Sequence, residues 1–302
     1  MSIVLALLID RWWGEPPARL HPVVWMGSYL KRVGRGLPDR SPAWAFMLGA
    51  ACWLAGAVLV AAAYGYAGFE FAKFPSWLNV SLTALLLKPL FALRMLLTEV
   101  GAVEQALGES IDCGRVRLSM IVSRDTSQLD VHEIRESSLE SLAENLSDSV
   151  VAPLFWFALF GLAGAAVYRF ANTSDAMWGY RGRWEWAGKF AARADDLLNF
   201  IPARITAVGL LLAGPHRVSG LRQLPREAAR TASPNSGWPM GALALSLNVR
   251  LRKPLTYELN AGGSAPTAAD TVIALRLAKI TAWVIAALMA IGTLWLRGIR
   301  YA

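Results

Sequence analysis

From Ala43 to Phe69 the chain carries no charged residue. A helix of that length crosses a hydrocarbon core of about 30 Å, and inside a bilayer each backbone polar group must be satisfied within the segment or by protein around it. Trp77–Thr98, Val150–Ala171, Leu197–Gly214 and Leu277–Leu296 are further apolar segments. With 55% hydrophobic and only 17% charged residues among 302, and a mean hydropathy of +0.38, the chain has more apolar surface than a soluble domain can bury. The expected fold class is an all-α integral membrane protein. It would have about four to five transmembrane or re-entrant helices and cytoplasmic helical loops, as one polytopic domain over residues 1–302.

Lys88 and Arg94 interrupt the second segment and Arg204 sits inside the fourth. Each must face protein or water, lie along the interface, or be re-entrant. If all five segments span, the loops at 10–42, 99–149 and 215–275 share one side and carry 17 Lys/Arg, against 8 on the other side. The positive-inside rule then puts the first group in the cytoplasm. The start, MSIVLALLID, has a short apolar core and no basic flank, which argues against a cleaved signal peptide. The net charge of +8 comes without any nucleic-acid-binding motif, so the expected partner is the anionic face of a lipid bilayer and not nucleic acid.

Acid is concentrated in one place. The 99–149 loop holds 11 Asp/Glu against 4 Lys/Arg, and Glu136, Glu140, Glu144 and Asp148 recur every four residues. On a helix that spacing makes a slowly drifting stripe of carboxylates. Like charges at that spacing destabilise a helix, so the stripe asks for a compensating cation, either arginine or a hard metal such as Mg²⁺. A solvated helix face is the plain alternative. Asn145, Ser138 and Ser141 interleave the acids, and Arg124, Asp125 and Thr126 precede them; Asp130 and Glu133 make a capping pair.

Other clusters are weaker. Residues 10–27, DRWWGEPPARLHPVVWMG, read as a structured turn at the membrane surface, with Asp10, Glu15 and His21 either ligand contacts or turn and cap residues. Loop 172–199 holds Asp175, Tyr180 and Arg181, then Asp195, Asp196 and Asn199 at helical spacing, a set that can hold Mg²⁺ against a phosphate or simply favour a helix dipole. This loop would lie opposite the acidic helix unless Pro153, Gly161 and Gly164 make Val150–Ala171 a kinked or re-entrant pair. In the long loop, SPNSGWP at 233–239 specifies a tight turn whose N–H groups could cradle an oxyanion, with Arg226 and Arg230 before it; Lys253, Pro254 and Tyr257 are a further small group. His21, His132 and His216 lack zinc-motif pairing, Cys52 and Cys113 give no disulfide framework, and no common nucleotide loop or nucleophile elbow is present.

Six pieces occur in order: Asp10 with GEPP and HPVVWMG at 14–27, RDTSQLD at 124–130, ESLAENLSD at 140–148 running into VVAPLFW, NTSDAMWGY at 172–180, DDLLNFIPAR at 195–204, and SPNSGWPM at 233–240. Together they resemble the CobD/CbiB family of cobalamin-biosynthesis membrane proteins. The family pattern has Asp where Glu15 stands, Gly where Ser123 and Ser149 stand and a bulkier apolar residue at Ser174, while every acid of the stripe is kept.

The resemblance implies an adenosylcobinamide-phosphate synthase of the bacterial inner membrane, with its active loops facing the cytoplasm. It would join a carboxylate of the corrinoid adenosylcobyric acid to aminopropanol or aminopropanol phosphate, with ATP as co-substrate and Mg²⁺ as cofactor. Other cobalamin-pathway enzymes are candidate partners. The expected catalytic residues are Arg124, Asp125, Glu140, Glu144 and Asp148. Substrate contacts are expected from His21, Asn145, Asp175, Tyr180, Arg181, Asn235 and Trp238, and metal ligands from Glu140, Glu144, Asp148, Asp195 and Asp196. A groove edged by Trp156, Trp178, Trp184, Trp186 and Trp238 would receive the macrocycle, unless these rings form a headgroup belt. Two other classes remain open: a Mg²⁺-dependent prenyl or lipid-diphosphate transferase, favoured by DDLLN, and a corrinoid transporter subunit with Lys88, Arg94 and Arg204 along its path.

Overall fold

A computed structural model describes residues 1–215 and 217–301, so His216 lies outside the described residues. The elements in chain order begin with α1 (Ser2–Trp13), α2 (Pro22–Val33), α3 (Pro42–Phe71), α4 (Ser76–Leu87), α5 (Leu93–Glu109), α6 (Ile111–Ser119) and α7 (Val131–Leu146). Then follow α8 (Ala152–Trp178), α9 (Lys189–Leu198), α10 (Phe200–Ala213), α11 (Arg217–Ala228) and α12 (Gly237–Leu247). The antiparallel hairpin β1 (Leu251–Lys253) and β2 (Tyr257–Leu259) precedes the last helix, α13 (Ala268–Tyr301). Among the described residues four helical stretches are long and apolar enough to cross a membrane: Pro42–Phe71, Ser76–Glu109, Val131–Trp178 and Ala268–Leu294. A fifth exists if Lys189–Leu198 and Phe200–Ala213 make one bent span. The chain is a helical membrane protein, as its apolar runs require.

The chain divides into two compact units interleaved in sequence: Met1–Ala92, Ala152–Asn199 and Ala286–Ala302 form one, Leu93–Val151 and Phe200–Ile285 the other. In the first unit α3 packs on α8 and α9, and α1 on α4. Gly56 of α3 makes the α8 contact possible, since a Cβ there would meet Phe170 at 2.3 Å and Tyr29 at 2.7 Å. Trp53 and Phe170 fill the space beside it, their rings 5.9 Å apart. The stretch 10–27 is a turn only between Gly14 and His21, because Pro22 opens α2 and His21 Nδ1 accepts the Val23 N–H at 3.3 Å as its cap.

Val150–Ala171 is not one straight span. Phe160 (φ −127°, ψ 15°) and Gly161 (φ 64°, ψ −152°) leave helical geometry, the second in a region that only glycine enters without strain. A Cβ on Gly164 would lie 2.4 Å from the Trp156 carbonyl oxygen, whereas residues eight apart on a straight helix are separated by about 12 Å. The chain therefore folds back at Phe160–Gly161. The break expected from the glycines is real, and Pro153 lies just after a π turn at Ser147–Val151.

In the second unit α7 rests on α5 and α6 over a core of Val103, Leu118 and Ile134. Its other neighbours are α12 and β1. Arg135 grips Glu104 of α5 through both carboxylate oxygens at 2.7–3.1 Å, and Thr271 of α13 donates to the same carboxylate at 3.0 Å. Those bonds fix the rotation of α7 and with it the direction of every acid on the helix.

Candidate active site

Helix α7 starts with a complete capping box: the Glu133 N–H donates to Asp130 at 2.8 Å and the Asp130 N–H to Glu133 at 2.9 Å. Asp130 is thus a cap. The acids that follow are not a solvated face, since Glu136 is 0% and Glu140 3% exposed. Glu144 is exposed and Asp148 half-buried. The regular stripe also ends early, because Asp148 falls in the π turn, where the residues per turn change and the four-residue register of α7 is lost.

Arginine supplies compensation for the buried acids. Arg124 Nη2 donates to Glu140 Oε2. Arg250 Nε approaches Glu136 Oε1 at 3.4 Å and Arg252 Nε approaches its Oε2 at 3.8 Å, while Arg252 Nη2 reaches Glu133 at 3.5 Å. The hairpin β1–β2 and the residue before it are therefore the cationic wall facing α7. Arg250 and Arg252 stand in no motif of their own in the sequence. The available signal was the pairing of a basic loop, 215–275, with the most acidic segment of the chain.

Two carboxylate oxygens of this group stand apart. Glu136 Oε2, with Arg252 Nε 3.8 Å away, is buried without a hydrogen bond. Glu140 Oε1 is buried and makes no hydrogen bond of ordinary geometry, although the Tyr257 hydroxyl is close enough to interact with it and Lys253 adds positive charge nearby. Burial first, then the Glu140 carboxylate, push the Tyr257 phenol well above its ordinary pKa. Tyr257 therefore remains a donor at neutral pH. Glu144 acts on the same phenol, which places three acids of the second unit beside one hairpin.

The remaining expected residues divide clearly. Asp125 is exposed and accepts the Ser127 N–H at 2.9 Å; that bond holds its carboxyl below the usual range, so it closes its own turn. Asn145 donates to the Ser141 carbonyl at 3.0 Å and accepts from Ser149 at 3.4 Å, bonds local to its helix. Asn235 accepts from Arg204 at 3.3 Å, and the Arg204 guanidinium lies between the Phe200 and Trp238 rings, 3.4 and 4.5 Å from their centroids. The oxyanion cradle expected at SPNSGWP loses two donors, because the Asn235 and Ser236 N–H groups both point at the Ser233 hydroxyl at 3.2 Å.

In the first unit, Asp175 and Asp196 are close enough for their charges to act on one another, Asp195 is buried, and Tyr180 and Arg181 are exposed in the turn after α8. Trp178 is 1% exposed and stacked on Trp184, so it is core and no edge of a groove. His21 Nε2 lies 3.1 Å from Glu15, and Lys88, 3% exposed, bonds Asp10 at 3.0 Å and Glu15 at 2.6 Å. Lys88, one of the two cations that interrupt the second apolar segment, is thus neutralised inside the protein. No group of three or more His, Cys, Asp or Glu is arranged to hold a metal ion among the described residues.

An α-helical membrane protein with a buried carboxylate–guanidinium cluster is the class these features define. The chain belongs to the CobD/Cbib protein family, whose model matches residues 3–287. It is 43% identical over 297 residues, 97% of this chain and 96% of the relative, to the probable cobalamin biosynthesis protein CobD of Thermococcus kodakarensis. The cobalamin biosynthesis protein CobD of Chromobacterium violaceum is 38% identical over 301 residues, 95% of each chain, and that of Rhodobacter capsulatus 38% over 294, 91% of each. No solved structure matches.

Proposed function

We propose that this protein acts in cobalamin biosynthesis as an adenosylcobinamide-phosphate synthase, forming the amide between a carboxylate of adenosylcobyric acid and aminopropanol or its O-phosphate. The observation that carries this reading is the near full-length match to relatives named cobalamin biosynthesis proteins. The cluster around Glu140 supports it. A carboxylate and an amine do not condense unaided in water, so the acid is first activated at the expense of ATP, as an acyl phosphate with release of ADP. The amine then attacks the acyl carbon, phosphate leaves, and the ammonium proton passes to a base.

Glu140, desolvated and oriented by Arg124, is the base in this reading, and Tyr257 donates beside it. Arg250, Arg252 and Lys253 offer charge for phosphate oxygens. Mg²⁺ binds readily through one or two carboxylates plus substrate phosphates and does not need a cage of protein ligands; Glu144 and Asp148 are the carboxylates that suit this mode. When bound, the ion would neutralise charge on the transferred phosphoryl group. In this reading the catalytic loops face the cytoplasm, where ATP is available, and the Lys/Arg distribution supports that orientation.

The test is an assay in detergent with adenosylcobyric acid, aminopropanol phosphate, ATP and Mg²⁺, on wild type and Glu144→Gln. Product should require both ATP and Mg²⁺, and the variant should lose at least about a hundredfold in rate, roughly 3 kcal/mol of transition-state stabilisation. Corrinoid binding without turnover in folded wild-type protein would replace the ligase by a carrier.

A further inference from the structure

The first unit contains a cleft of about 560 Å³ that the ligation chemistry does not use. Its walls are Ala63 and Tyr64 of α3 and Leu85 and Leu86 of α4, both helices within apolar spans, and the exposed Trp13 and Trp25 stand at its rim. A second apolar cavity of about 230 Å³ shares Pro22, Trp25, Ala63 and Tyr64 with it, so the two form one groove running along α3. The floor of this apolar groove carries Glu15 and Lys88.

The charges on that floor do not cancel. Lys88, almost fully buried like Asp10, is shared by both acids, 3.0 Å from Asp10 and 2.6 Å from Glu15. One lysine against two carboxylates leaves one net negative charge, and Glu15, with 22% of its side chain exposed, is the acid that reaches the groove. Its partner His21 uses Nδ1 to accept the Val23 N–H, which leaves the proton on Nε2, pointing at Glu15, in the neutral ring. One excess negative charge therefore faces a hydrophobic groove edged by two indoles. Carboxylate beside aromatic faces selects an ammonium, and the apolar walls select a long hydrocarbon attached to it. Arg19, exposed on the 3₁₀ turn Ala18–Leu20 whose Arg19 carbonyl holds the Trp25 indole N–H at 3.0 Å, adds a cation near the same rim.

We infer that this groove is a binding site for one phospholipid with a primary ammonium headgroup, phosphatidylethanolamine in chemical class, with an acyl chain along α3 and the ammonium on Glu15. A choline headgroup has the charge but no N–H to donate, and a glycerol headgroup lacks the charge.

The experiment reconstitutes the full chain in nanodiscs of equal parts phosphatidylethanolamine, phosphatidylcholine and phosphatidylglycerol, re-extracts it in mild detergent, and counts the retained lipid by native mass spectrometry. Wild type should retain ethanolamine lipid over choline lipid by about tenfold, the ratio that ~1.4 kcal/mol supports. Glu15→Gln should lower that ratio to about one by removing the charge without changing shape. Ala63→Leu, which fills the groove from α3 and leaves the charge network intact, should lower it equally and keeps the test valid if Glu15→Gln does not fold. Equal retention of all three lipids, or a preference unchanged in Ala63→Leu, overturns the proposal. Displacement of the retained lipid by millimolar soluble propanolamine also overturns it, in favour of a site for a free amine.

Discussion

Two buried charge networks, one in each unit, solve the same problem differently. In the first, Lys88 sits between Asp10 and Glu15, with His21 on the far oxygen of Glu15, and all four hold the start of α2 and the 3₁₀ turn at Lys88–Leu90. In the second, the acids lie on one helix while the cations arrive from Arg124 and from the hairpin, at 3.4–3.8 Å for Glu136, with Glu140 Oε1 left without a regular hydrogen bond. The first network is centred on one lysine at 2.6–3.0 Å, and Glu15 at its edge faces the groove. The second is loose, multivalent and open to another charged group. Desolvated charge is costly unless well paired, so the lysine-centred contacts are expected to serve stability, with only the groove-facing edge of Glu15 left for a ligand, and the looser cluster binding or catalysis.

Lys88→Met should break the contrast most visibly. It leaves Asp10 and Glu15 without their cation, and loss of one partner of a buried ion pair costs about 3–5 kcal/mol. Thermal unfolding in detergent should show a far larger drop than Lys73→Met, whose ammonium pairs with Glu70 at an exposed helix end. Equal drops would mean that the first network is no more structural than a surface pair.

A cycle of Glu136→Gln and Arg250→Ala sharpens the second half of the comparison. Their coupling should fall within about 0.5–3 kcal/mol, and Arg250 should couple more strongly than Arg252, whose Nε stands further off and makes no hydrogen bond. Additive effects would show that Glu136 does not depend on the hairpin. A smaller effect, about 1 kcal/mol, is expected for Asp130→Ala, which removes the α7 cap. It should lower unfolding temperature with little change in substrate affinity, since Asp130 bonds only within its own turn and first helical residues.

The finest test is pH. Burial works against the Glu15 carboxylate, but the bonds from His21 and Lys88 outweigh it and hold its pKa below 4.5. The unfolded chain then binds a proton at Glu15 before the folded one does, so this contribution is complete above pH 4.5 and disappears as pH falls through the lower folded value. Glu15→Gln should flatten the acid limb of the stability profile; an unchanged limb would remove Glu15 from the network.

Much of this was legible in the sequence. All five apolar segments correspond to helical stretches, the capping pair at the start of α7 forms as read, and Gly161 marks the place where the chain folds back. The stripe of acids was legible as a group needing cations. Its burial was not, because a polar helix between polar loops has the same pattern whether water or a hairpin covers it. The tight turn at SPNSGWP was foreseen, yet its donors are satisfied by Ser233, a choice that depends on one hydroxyl rotamer.

What the sequence determined by itself is whatever neighbours along the chain decide: which segments enter a bilayer, where helices start, and that four acids recur at helical spacing. Only the tertiary structure decided the partners. Lys88 meets Glu15 across 73 residues and Arg250 meets Glu136 across 114. Helix periodicity and capping arise from contacts three or four residues apart, whereas an ion pair requires only that two charges come within about 4 Å. Many pairings of the same charges satisfy the sequence equally, and the packing of α7 on α5 and against β1, like that of α1 on α4, selects one of them.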